Sequence, residues 1–212
     1  MELKSLTEKT VLPTGYQYQN DSTSEQGHRM CGCSSSVMML EVVRPGCVTK
    51  HKNRKPGEQA DDFYLRVLQS YGDTTDGQAQ LLTHRYFGVN TELRTDGDFK
   101  ILQHYLACGV PIMVGWLHRG SVDAPNPNHS HWSVVVGWVP GKNGGIFVFH
   151  DPNGEADIIK GGYVNWEKGR YVQYSWANWR KRWMADSAGR FREGAGWYIV
   201  PRLDKNGKPV LL

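Results

Sequence analysis

The spacing of apolar positions changes period about halfway along the chain. Before residue 110 it is helical. Ser34 to Val43 (SSSVMMLEVV) is apolar nearly all round, as in a buried helix, and Pro45-Gly46 stops it. Phe63, Tyr64, Val67, Leu68 and Tyr71 recur at helical spacing from Gln59 to Tyr71, and Gly72 ends the stripe. A weaker helix follows from Asp76 to Phe87, closed by Gly88. Another runs from Asp96 or Asp98 through Phe99, Leu102 and Leu106, with Gly109-Val110-Pro111 as its stop. The basic run KHKNRKPGE reads as a solvated loop rather than a nucleic-acid patch.

Beyond that point short apolar runs predict neighbouring antiparallel strands: Val110 to Leu117, Trp132 to Val139 and Gly145 to His150. Residues 139–145 (VPGKNGG) have the composition of a hairpin turn. Gly196 to Pro201 (GWYIVP) predicts a late strand, preceded by a Trp-rich segment from Tyr174 to Trp183. No repeat, low-complexity tract or linker divides residues 1–212, so one domain is expected. Helices first and strands second predict an α+β fold with the sheet built from the C-terminal half.

Composition narrows the class only a little. The excess of Lys and Arg over Asp and Glu is 25 − 21 = +4, which suits an anionic substrate surface without singling out nucleic acid. No apolar stretch approaches the roughly 18 residues of a membrane span, and residues 1–20 lack the apolar core of a secretory signal. Eight Trp and ten Tyr, many in the last third, either fill a core or form a face that stacks on substrate.

The chemistry centres on the four cysteines, Cys31, Cys33, Cys47 and Cys108. Cys31 stands immediately before the buried helix, where unpaired N–H groups and the helix dipole favour a thiolate. Gly32, Ser34, Ser35 and Ser36 permit close backbone approach and offer N-caps. Cys33 falls within the same first turn, whereas Cys47 and Cys108 read as packing residues. His131 opens a strand after the polar loop Arg119 to Ser130 and is placed to act as a base, with His129 as its competitor. Asp151 follows the next strand in Asp-Pro-Asn-Gly. Antiparallel pairing around Gly144-Gly145 brings it to the same sheet edge as His131, although the four residues also have the composition of a plain turn. The Cys31 N–H and an upstream amide, Gln19 or Gln17, are candidate oxyanion donors.

Two metal readings compete. His28, Cys31, Cys33 and either His129 or His131 offer zinc ligands at irregular spacing. Asp151, Asn153, Glu155 and Asp157 alternate oxygen ligands as calcium loops do, but the pattern is incomplete and a solvated acidic turn is the better reading. No cofactor is expected.

Taken in order, these blocks resemble a known family. Gln19 in Tyr-Gln-Asn-Asp-Ser, Cys31-Gly32-Cys33 with Ser34 to Leu40, His131-Trp132 with Ser133 to Trp138, and Asp151-Pro152-Asn153-Gly154 resemble the double-glycine-type leader peptidases, relatives of the papain-like cysteine peptidases. The matching region runs from about Tyr16 to Gly154 and extends toward the GWYIVP strand. The resemblance implies a papain-like fold with Cys31 as nucleophile, His131 as general base, Asp151 as orienter and Gln19 as oxyanion donor. Cys33 departs from the pattern, since relatives usually carry Pro there.

The resemblance further implies an amide-cleaving cysteine hydrolase working through a thioester. The free-standing length, the lack of a signal and the terminal aromatic stretch look most like a phage-encoded member. Such a lysin would act on the peptide of bacterial peptidoglycan from the host cytoplasm or a virion. A protein-processing peptidase for leaders or virion maturation, and a non-catalytic tail-associated module, are the alternatives. Nothing in the sequence indicates the oligomeric state.

Overall fold

The computed structural model describes residues 3–212. In chain order its elements are β1 (Thr10–Val11), α1 (Cys31–Val43), α2 (Ala60–Leu68), α3 (Gly77–Tyr86), β2 (Thr91–Gly97), α4 (Phe99–Ala107), β3 (Ile112–Leu117), β4 (Gly120–Ser121), β5 (Ala124–Pro125), β6 (Ser130–Val139), β7 (Ile146–His150), β8 (Glu155–Ala156), β9 (Tyr163–Asn165), β10 (Arg170–Ser175), α5 (Trp176–Trp183) and β11 (Gly196–Pro201). The main sheet is antiparallel in the order β10-β7-β6-β3-β11-β2, with β1 added to β6. The α+β class is as expected.

The sheet is covered on both faces. Met113 of β3 and Ile199 of β11 pack into a core with Met30, Val37, Leu40, Phe63 and Tyr64 from the α1–α2 side. On the other side Val114 and Trp116 of β3, Val135 of β6, and Phe147 and Phe149 of β7 join α4 and α5. This is the period-2 alternation of a strand feeding two apolar layers.

Two features depart from the expectation that helices precede a C-terminal sheet. Residues 91–97 (TELRTDG) form an edge strand instead of the approach to a helix. Its central residues are solvent-exposed, so no alternating apolar pattern marks it. The following helix starts at Phe99, where the Asp98 carboxylate caps the Ile101 N–H at 2.8 Å. The Trp-rich segment becomes a strand followed by a helix. Trp176, Trp179 and Trp183 line one face of α5, and the last two stack at 4.9 Å, all three buried. Gly97 and Gly196 have no side chain because the Trp183 ring occupies that space. Most of the aromatic surplus is therefore core. Trp166, 49% exposed, is an exception.

The pairing of β6 with β7 is irregular. From Val139↔Ile146 to Gly137↔Val148 the two strands keep a simple register. A β-bulge at Val136 then shifts the pairing to Val135↔Phe149 and Val134↔His150. Gly137 is required beside the bulge, since a Cβ there would lie 2.5 Å from the Thr10 carbonyl oxygen of β1.

Candidate active site

The nucleophile candidate is the first residue of α1. The N-cap, Met30, supplies no side-chain cap, and the first intrahelical bond is from Ser34 N–H to the Met30 carbonyl. The N–H groups of Cys31, Gly32 and Cys33 are therefore the open donors of a helix start, next to a half-buried thiol. Gly32 allows this packing: a Cβ there would lie 2.8 Å from Gln80 Nε2.

The three serines that follow do not cap the helix; they anchor it. Ser34 Oγ donates to Asp61 Oδ2 at 2.7 Å, and Ser35 Oγ donates to the Trp132 carbonyl at 3.1 Å. Ser36 Oγ meets Gln80 Oε1 at 3.2 Å and His84 Nε2 at 2.9 Å. All three are completely buried, and each ties the first turns of α1 to a different neighbour.

His131 is the second residue of β6 and is buried. Its Nε2–H donates to Asp151 Oδ1 at 2.7 Å, which leaves Nδ1 for the thiol side of the ring. Burial alone would lower the His131 pKa. The negative charge and hydrogen bond of Asp151 outweigh it, Cys31 adds to the effect, and the net shift is upward. Burial alone would likewise raise the Cys31 thiol. The hydrogen bond and charge of His131, helped by the Trp132 and Gly32 N–H groups, overcome this and hold the thiol below its ordinary value. The two shifts have one cause: the site favours a thiolate beside an imidazolium.

Asp151 is fully buried and held at every backbone atom that can bond. Its N–H donates to the Gly169 carbonyl at 2.9 Å, its carbonyl accepts from Tyr16 Oη at 2.9 Å, and its Oδ1 also accepts the Asn153 N–H at 3.0 Å. Gln19 is buried on a 3-10 turn (Gln19–Asp21) that packs against the start of α1. Its backbone N–H donates to the Pro152 carbonyl at 2.9 Å and its Nε2 to the Gly27 carbonyl at 3.0 Å. Among the described residues the second amide hydrogen of Gln19 has no partner.

The alternatives sort differently. Cys33 is inaccessible in the helical core, and burial, then the charges of Cys31 and Asp61, push its thiol well up. His129 is exposed on the loop and contacts the ring of His118, not Asp151. Among the described residues Gln17, half-buried, makes no side-chain hydrogen bond to the α1 start. Cys47 is buried and Cys108 half-buried, both away from His131 and both with raised thiols.

Neither set of metal-ligand candidates is gathered into a cluster among the described residues: no three His, Cys, Asp or Glu side chains are grouped to hold an ion. Glu155 accepts from Asn165 Nδ2, while Asp157 Oδ1 caps the Ile159 and Lys160 N–H groups.

Several residues of the site carry no sequence signal. The acidic pair that opens α2 grips two parts at once. Asp61 takes the Ser34 hydroxyl of α1, and Asp62 takes Ser22 Oγ and the Thr23 N–H (3.1 Å) from the loop that follows Gln19. His118, on the loop after β3, packs against His131 at 5.5 Å and Tyr163 at 5.6 Å. The buried Arg182 of α5 fixes that loop by donating to the carbonyls of Leu117, Arg119 and Gly120 and, across the gap, Ile158. An open cleft of about 390 Å³ reaches Cys31 between this loop and the Thr74–Thr75 turn.

The arrangement is suited to acyl transfer: an activated thiol, an oriented imidazole and an amide beside a helix N-terminus. A family model described as the Peptidase_C39 like family matches residues 11–185. A crystal structure described as a C39-like peptidase from Bacillus anthracis superposes with a TM-score of 0.52 at 11% identity, covering 93% of this chain and 100% of that one. A recombinant stem bromelain precursor aligns with a TM-score of 0.43 at 11% identity, over 97% of this chain and 76% of that one. No curated protein matches the sequence.

Proposed function

The chain belongs to the Peptidase_C39-like family, and on that premise we propose that Cys31, His131 and Asp151 form its catalytic triad, with Gln19 in the oxyanion hole. The observation that carries the assignment is the 2.7 Å bond from His131 Nε2 to Asp151 Oδ1, made by a histidine that also lowers the pKa of the Cys31 thiol.

In the proposed cycle the Cys31 thiolate attacks the scissile carbonyl carbon. Negative charge develops on the carbonyl oxygen, and in this reading the Cys31 N–H and the second amide hydrogen of Gln19 stabilise it. As the C–N bond breaks, the His131 imidazolium gives its Nδ1 proton to the departing amine. The thioester is then hydrolysed: His131 takes a proton from water, the hydroxide adds to the carbonyl, and the thiolate leaves. Asp151 accepts from Nε2 throughout, which keeps Nδ1 facing the sulfur and stabilises the imidazolium.

The substrate we propose is the peptide of bacterial peptidoglycan, cleaved by a phage-type lysin that acts at the cell wall from the host cytoplasm or a virion. The support is the mild positive charge, which favours an anionic envelope. Digestion of purified peptidoglycan by wild type and by Cys31→Ala, read by mass spectrometry, tests this. New amine or alanine ends are expected with wild type only. Release of no muropeptides, with cleavage of a phage protein instead, would replace the lysin by a processing peptidase.

A further inference from the structure

The walls of the cleft at Cys31 are of one electrical character. They include Arg29 and three imidazoles, His28, His118 and His129, and among the described residues they contain no carboxylate. The positive end of α1 opens into the same space at Cys31. Arg29 is bridged to Asp73, but both side chains are largely exposed, and such a pair is weak enough for another anion to compete.

His118 is kept neutral in this wall, chiefly by burial. Burial first, then His131, Arg119, His129 and Arg182, hold its pKa down at about 3, and each of these four neighbours is a cation or a potential one. Its buried Nδ1 has no hydrogen-bond partner among the described residues. A cleft lined this way solvates an anion well and a cation badly.

We infer that the substrate carries a carboxylate close to its scissile bond, held in this cleft by Arg29 and the imidazole wall. The inference rests on Cys31 as the reacting thiol and adds a substrate class to it: peptides with an acidic group beside the bond to be cut.

Two alkylating reagents of nearly equal size test it on the full chain. Iodoacetate and iodoacetamide both form a C–S bond at Cys31 and release iodide, but only the first is anionic. Second-order rates at Cys31 are read by peptide mass mapping, with free cysteine as the reference. The iodoacetate-to-iodoacetamide ratio should exceed that of free cysteine by about tenfold, and the excess should shrink as salt is added. In a variant combining Arg29→Gln, His28→Gln and His129→Gln, all exposed positions, the ratio should drop by about fivefold or more.

A ratio equal to that of free cysteine overturns the inference. So does an elevated ratio that the triple variant leaves unchanged, because the charge of His131 alone would then explain it. The nucleophile assignment is read separately, from the pH dependence of the iodoacetamide rate. If that follows an ordinary thiol, the assignment fails, while the ratio is still measured at pH 9.

Discussion

His131 and Asp151 meet because of a bulge between the strands that carry them. Continued from the Val139↔Ile146 end without interruption, the pairing of β6 with β7 would place Asp151 opposite Val134, an odd number of residues from His131 and so on the other face. The bulge at Val136 shifts the register by one and sets Val134 against His150, a register that continued by one residue brings Asp151 opposite Ser133. His131 and Asp151 then share a face, and the 2.7 Å bond becomes possible.

Cys31→Ala should abolish turnover while leaving the thermal transition nearly unchanged, since the side chain is half-buried at a helix start. Cys33→Ala should keep activity and lose about 1 kcal/mol of stability, the cost of a small cavity in the helical core. Retained turnover in Cys31→Ala, measured with any cleaved substrate, would reassign the nucleophile.

His131→Ala should cost more than Asp151→Ala, because the histidine moves the proton and the aspartate orients it. The two should differ by about tenfold or more in kcat. Equal losses would mean that removing Asp151 unfolds the loop it anchors, which circular dichroism of the variant distinguishes.

The paired pKa shifts predict a reactivity window that opens early on the acid side. As pH falls, the thiolate is lost only below the lowered pKa of Cys31; as pH rises, the proton donor is lost only above the raised pKa of His131. At pH 6, Cys31 should still alkylate with iodoacetamide at a substantial fraction of its pH 9 rate, whereas a free thiol slows by about a hundredfold. Parallel profiles for Cys31 and free cysteine would contradict the ion pair.

Asp61 has the opposite linkage. Burial first, and then the neighbouring Asp62, raise its folded pKa to about 6, and its Oδ1 has no partner. A raised pKa stabilises the fold below the unfolded value of about 3.9, and this contribution is lost as pH rises through about 6. Asp61→Asn removes the charge and can still accept from Ser34. It should raise the melting temperature at pH 8 by about 2–4 °C with no gain at pH 4. Calorimetry at the two pH values decides it, and an equal shift at both would show that ionisation is not the cause.

Much of the candidate site was legible because its residues sit at element boundaries, which local patterns mark well. An all-round apolar stripe ending in Pro-Gly identifies a buried helix, and a cysteine at its start acquires the helix N–H groups wherever the helix packs. His131 and Asp151 lie at the ends of apolar strand runs. Residues whose role is to hold others left no such trace. Asp61, Asp62, His118 and Arg182 are ordinary polar residues of helices and loops, and their partners lie tens of residues away.

Local patterning was enough to specify the buried helix behind Cys31, the strands that carry His131 and Asp151, and the α+β class. The other features come from how distant segments pair. Edge strand β2 exists because β11 offers it hydrogen bonds, not because its residues alternate. The aromatic residues of α5 became core because the sheet presents an apolar face to them. The faces of His131 and Asp151 agree because one extra residue in β6 changes the parity of a strand pair, and parity belongs to the pairing of two segments rather than to either one.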